Sequence, residues 1–184
     1  MKKVLTIIFA GLVSVGFANA DITPQLVNVT GSGPFTWNYE ISVDSLEELV
    51  AGNYFTIYDV GGTIGTVTAP TGWTDSVQLT GITPGTQNPS DNPAIDNITF
   101  TYDGTSPQGP TPALTGFNFV DSLGSVSETG GTFTYSATKT SSPTVPDQGT
   151  GSIEVPTATP EPVTTGLIGL ALVGMAVARR KFAR

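Results

Sequence analysis

Two carboxylates, Asp91 and Asp96, stand close together in a stretch crowded with amides, Asn88, Asn92 and Asn97. Oxygen donors on a loop suit a hard cation such as Ca²⁺. The spacing is not that of an EF-hand, because no Asp-x-Asp-x-Asp-Gly run with the required later glutamate occurs. A solvated turn is the plainer reading of Asp91 and Asp96, and a calcium site the sharper one. Glu40, Glu47, Glu48 and Glu128 are of the type that glycoside hydrolysis needs as a pair about 5 to 10 Å apart. Nothing in their spacing puts two of them in one cleft. Trp37, Trp73 and the tyrosines could stack on sugar rings. Trp37 lies in an alternating apolar pattern and is expected in the core. Trp73, in a Thr-Gly-Trp turn, is expected to be the exposed one. Asn28-Val29-Thr30 and Asn97-Ile98-Thr99 fit the N-glycosylation pattern, which is read here as chance.

What is missing also constrains the chemistry. The 184 residues hold no cysteine and no histidine. Ser-His-Asp and Cys-His catalysis are therefore excluded, as is the commonest transition-metal ligand. No disulfide framework can hold the fold. The charge is strongly divided. All 15 acidic residues lie between Asp21 and Glu161, and Lys139 is the one base among them, a formal charge of −14 for that stretch. Such a surface repels phosphates and anionic membranes, so nucleic acid is not an expected partner.

The elements between residues 21 and 140 read as strands. Phe35 to Val43 alternates Phe35, Trp37, Tyr39, Ile41 and Val43 with polar residues, the pattern of a strand with one buried face. Shorter β-type runs follow at Tyr54 to Val60, Ile64 to Thr68, Ser76 to Thr80, Ile95 to Tyr102, Leu114 to Val120 and Gly131 to Lys139, after a first one at Gln25 to Thr30. Asp44 to Ala51 is the exception. Asp44 and Glu47 make a capping-box pattern, Leu46, Leu49 and Val50 share a helical face, and Gly52 follows as a stop. The expected fold is all-β, an antiparallel β-sandwich with one short helix. Residues 141–159, rich in Ser, Thr, Pro and Gly, are expected to be an extended tether, to which Ile153 and Val155 could still add an edge strand.

The two ends look like export signals. Lys2 and Lys3, an apolar run from Val4 to Phe17, and Ala18-Asn19-Ala20 form a secretory signal peptide over residues 1–20, with cleavage after Ala20. At the other end Pro160, Glu161 and Pro162 precede an apolar run from Val163 to Ala178, then Arg179, Arg180, Lys181 and Arg184. Sixteen apolar residues make a helix of about 24 Å. Thinning of the bilayer and snorkelling arginines can bring this to a hydrocarbon core of about 30 Å. The basic cluster is expected to stay on the cytoplasmic side of a C-terminal transmembrane helix.

The stretch 160–184 resembles the PEP-CTERM sorting signal of Gram-negative bacteria, in its Pro-Glu-Pro block, Gly-rich span and Arg-Arg-Lys end. The body from Asn92 to Ser142 is similar to the β-rich bodies of that family. The resemblance implies recognition by a membrane protease-transpeptidase, exosortase, and cleavage near Pro160–Pro162. The product would leave the membrane for the cell surface or the extracellular matrix, often within an exopolysaccharide layer. The expected protein is non-enzymatic, structural or adhesive, and without a cofactor unless calcium binds. The rival readings are a secreted carbohydrate-binding module or carbohydrate-active enzyme, and a permanently tail-anchored membrane protein.

Overall fold

The structure is a computed structural model, and it describes residues 22–85, 87–106, 108–124 and 130–157. The signal-peptide and sorting-tail residues named above lie outside the described residues. Ten strands occur among those described: β1 (Ile22–Gly31), β2 (Phe35–Val43), β3 (Glu47–Glu48), β4 (Tyr54–Val60), β5 (Ile64–Thr68), β6 (Trp73–Gln78), β7 (Asp96–Tyr102), β8 (Thr111–Asp121), β9 (Gly131–Lys139) and β10 (Ser142–Ile153). One sheet has the order β1-β2-β8-β5. The other runs β10-β9-β4-β7-β6, with β3 also paired to β9. Every pairing is antiparallel.

The apolar faces of the two sheets meet in a sandwich-like arrangement, and alternation decides which residues reach that layer. On β2, Trp37, Tyr39, Ile41 and Val43 are buried while Thr36, Asn38, Glu40 and Ser42 are half-buried. From β8, Phe117 and Phe119 enter the same layer. Phe117 lies edge-on to three rings of the opposite sheet. Its centroid is 5.2 Å from Phe55, 5.0 Å from Trp73 and 5.2 Å from Phe100. Edge-to-face pairs of this kind contribute about 0.5–1.5 kcal/mol each beyond their burial.

The second sheet is covered on its outer face as well. Phe55, Thr56, Ile57 and Tyr58 are consecutive and all buried. The Pro-, Gly- and Asn-rich segment after β6 lies over Thr56 and Tyr58. The Tyr58 hydroxyl donates to Ile82 O at 2.8 Å and exchanges a hydrogen bond with Thr83 Oγ1 at 2.7 Å, while Thr56 Oγ1 donates to Ile82 O at 2.9 Å. Gly81 permits the close approach, since a Cβ there would sit 2.6 Å from the Tyr58 ring.

Three expectations are corrected. The stretch Asp44 to Ala51 is not a helix, and no helix occurs among the described residues. Asp44 Oδ1 accepts from the Leu46 N–H at 3.1 Å, which closes a turn, and Glu47 and Glu48 pair with Lys139 and Thr138. Leu49 exchanges backbone hydrogen bonds with Gln108 at 2.8 and 2.9 Å. Burial falls on Glu47 and Leu49, two residues apart, while Leu46 is 51% exposed. A two-turn helix has little stability of its own, and edge pairing supplies more hydrogen bonds than it could. Next, residues 142–153 are not a free tether but strand β10, paired with β9 along nearly its whole length. Thr and Val favour this, and Gly149 and Gly151 leave room for the Tyr135 and Phe133 rings. Finally, Trp73 is buried, packed against Phe55, Tyr102 and Phe117.

Removing the Phe117 ring should therefore loosen both sheets. Phe117→Ala is expected to lower stability by about 3–5 kcal/mol. Val77→Ala, at an exposed position of β6, is expected to change it by less than about 0.5 kcal/mol. Chemical denaturation of both variants measures the difference.

Candidate functional site

One end of the sandwich opens into a cleft of about 610 Å³, lined by Asp59, Asp96, Gly62, Leu123, Val155 and Pro156 among others. Strand irregularity builds it. In β4 the pairing with β7 slips between Ile57 and Val60, leaving Asp59 as a bulge. Asp59 has φ +54°, a left-handed conformation that Asp tolerates better than most residues. Two hydrogen bonds hold it there. Its N–H donates to Asn97 Oδ1 at 2.8 Å, and its Oδ1 accepts from the Asn92 N–H at 2.9 Å.

Asn97 is the hub of this wall. It is 1% exposed, and its Nδ2 donates to Leu79 O at 3.2 Å and to Asp91 Oδ1 at 3.0 Å. Asp91 Oδ2 accepts from the Gly81 N–H at 3.4 Å. Both Asp91 oxygens thus accept hydrogen bonds from the protein, and Asp91 pins the segment that covers the second sheet. Asp96 does not join it in this network. It begins β7 opposite Val60 and lines the cleft. Among the described residues no three acidic side chains converge as a metal-ligand group. The burial of Asn97, with its amide fully engaged, also closes the second glycosylation pattern in the folded body.

Behind the cleft lies Asp121, the last residue of β8 and wholly buried. Its Oδ1 accepts from the Leu123 N–H at 2.6 Å, and its Oδ2 has no partner among the described residues. Burial pushes its carboxyl above the usual carboxylate range, and the Leu123 N–H opposes this in part. Gly62 makes room for it. Gly62 has φ +89°, and a Cβ there would lie 2.2 Å from Asp121 Oδ1. The adjoining Leu123 carbonyl accepts from Trp37 Nε1–H at 2.9 Å. Nearby, the Tyr39 hydroxyl donates to Glu154 O at 2.7 Å, and burial raises the pKa of this phenol, so it stays protonated.

Of the sequence-derived acids, Glu40 lies on β2 of one sheet and Glu47 and Glu48 on β3 of the other, and none of these lines the cleft. Glu128 lies outside the described residues. Asp59 and Asp121 were not singled out from sequence, and Asn97 was noted only as an amide beside Asp91 and Asp96 and in a glycosylation pattern. Asp121 was findable, because alternation through Phe117 and Phe119 places it on the inner face. No family model matches the chain, and no curated protein matches it.

Two outcomes follow. Asp91→Ala should cost about 1–3 kcal/mol by leaving buried Asn97 with an unmet donor, read from denaturation with and without added Ca²⁺. A calcium-induced rise in the wild-type melting temperature that this variant loses would instead make Asp91 a cation ligand. The second concerns pH. A raised folded-state pKa means the folded protein takes up the Asp121 proton before the unfolded chain does. Lowering pH from 7 toward the ordinary carboxylate value of about 3.9 should therefore stabilise wild type relative to Asp121→Asn. Denaturation curves across that range check this, and parallel pH profiles for the two proteins would contradict it.

Proposed function

We propose that this is an exported, non-enzymatic surface or matrix protein, structural or adhesive within an exopolysaccharide layer. A signal peptide over residues 1–20 delivers it. A transmembrane helix after Pro162, stopped by Arg179, Arg180, Lys181 and Arg184, holds it until exosortase-type cleavage near Pro160–Pro162 releases it. The observation that carries this reading is the fixed order of Pro-Glu-Pro block, apolar run and basic cluster at 160–184, which resembles the PEP-CTERM signal.

The end of the folded body supports it. Ile153 and Val155 are the last core side chains, 5% and 4% exposed, and the Gly61 N–H donates to Pro156 O at 3.2 Å. A cut within 142–155 would take core residues away. A cut near Pro160 would take none of the described core residues. Three residue steps separate Thr157 from Pro160, a reach of about 11 Å at most. Of the two carboxylates that line the cleft, Asp59 holds the Asn92 N–H, while Asp96 stands outside that network.

Intact-mass analysis of the protein recovered from its native host tests both cleavages at once. The expected chain begins at Asp21 and ends near the Pro-Glu-Pro block. A mass that retains residues 163–184 would make it a permanently anchored protein instead.

A further inference from the structure

The outer face of the four-stranded sheet carries a row of short, uncharged polar side chains in register. Asn28 on β1 is opposite Asn38 on β2, Asn38 is opposite Asn118 on β8, and Asn118 is opposite Thr68 on β5. Adjacent strands lie about 4.8 Å apart, so the row is about 14 Å long. Its amides are oriented. Asn38 Nδ2 donates to Asn28 Oδ1 at 2.9 Å and leans toward Thr36 O at 3.4 Å, and Asn118 Nδ2 donates to Gly116 O at 3.4 Å. The Oδ1 atoms of Asn38 and Asn118 accept nothing from the other described residues.

The electrostatics of this face differ from those of the rest of the body. The stretch Asp21 to Glu161 carries a formal charge of −14. Strands β1, β2, β5 and β8 hold two carboxylates, Glu40 and Asp121. Asp121 is buried on the inner side, and Glu40 accepts a hydrogen bond from Gln25 Nε2. An acidic molecule thus presents one broad face almost free of charge and dense in groups that both donate and accept.

We propose that this face binds a neutral polysaccharide, its chain lying across the strands along Asn28, Asn38, Asn118 and Thr68. Sugar hydroxyls also donate and accept, so each meets a complementary amide or hydroxyl. A cation finds no cluster of carboxylates there, and an anionic polymer is repelled by the surrounding charge. Contact through hydrogen bonds and bridging water, without ion pairs, makes the binding insensitive to salt. The inference deepens the surface-protein reading above and rests on it for biological sense, but its test is independent of tail processing.

The test uses the full chain in mild detergent, presented with immobilised cellulose, laminarin, dextran and mannan, and with alginate as the acidic comparison. Wild type is expected to be retained by at least one neutral glycan, equally at low and high salt. The double variant Asn38→Ala/Asn118→Ala is expected to lose about tenfold in affinity with its melting temperature kept. Should that variant unfold, Asn28→Ala/Thr68→Ala on the outer strands gives the same reading. Retention only on alginate, on no glycan at all, or undiminished in a folded variant overturns the proposal. So does concentration-dependent dimerisation that the same substitutions abolish, which would assign the face to a second copy of the chain. Glycan binding by a protein whose mass retains the tail would leave this inference standing and remove only the processing reading.

Discussion

Everything in this body depends on aromatic rings meeting across two sheets. No disulfide is available, since the chain has no cysteine. The sheets are joined by contact between their inner faces, and Phe117 is where that contact is densest, with three rings of the other sheet standing edge-on to it. Trp73 contributes through its ring alone, because its buried indole N–H has no acceptor among the described residues. A core of this kind is directional as well as apolar, and it fixes how the sheets sit on one another.

That register places the open end. Once β4 and β8 are held face to face, the Asp59 bulge and the end of β8 at Asp121 fall beside the same cleft. A buried carboxylate with one oxygen unpartnered among the described residues costs stability, and Gly62 is the feature that lets it fit. The opposite outcome holds on the outer side of β2 and β8. There the residues between the core aromatics, Asn38 and Asn118, are set into a row by the same pairing. Core packing and the proposed glycan face are two sides of one alternating pattern.

Much of this was legible in the residues. Phe35–Val43, Tyr54–Val60 and Gly131–Lys139 have the limits expected from the sequence, the first from its alternation and the others from their β-type composition. Trp37 is buried, as its place in that pattern requires. Other parts were hidden for physical reasons. Leu46, Leu49 and Val50 satisfy a helical spacing, yet backbone pairing with β9 and Gln108 won over a helix too short to persist. Trp73 follows turn residues, but a strand edge beside Phe117 gives its ring a seat that no local signal reports. In β10 the Pro, Gly and Thr content of a linker concealed a strand, because its glycines are sites of contact with Phe133 and Tyr135. The cleft depends on a bulge and on Asn97, which bridges segments far apart in sequence, so no local pattern encodes it.

Among the described residues the core closes with Ile153 and Val155, and the tail beyond Thr157 is proposed to be a removable handle. The most direct measurement is denaturant unfolding of two shortened chains, one ending at Thr157 and one at Ser141, beside the full chain. The first is expected to unfold cooperatively at the same denaturant concentration as the full chain. The second, without β10, is expected to be strongly destabilised or unfolded. Equal stability of the Ser141 chain would contradict the account, as would loss of folding in the Thr157 chain.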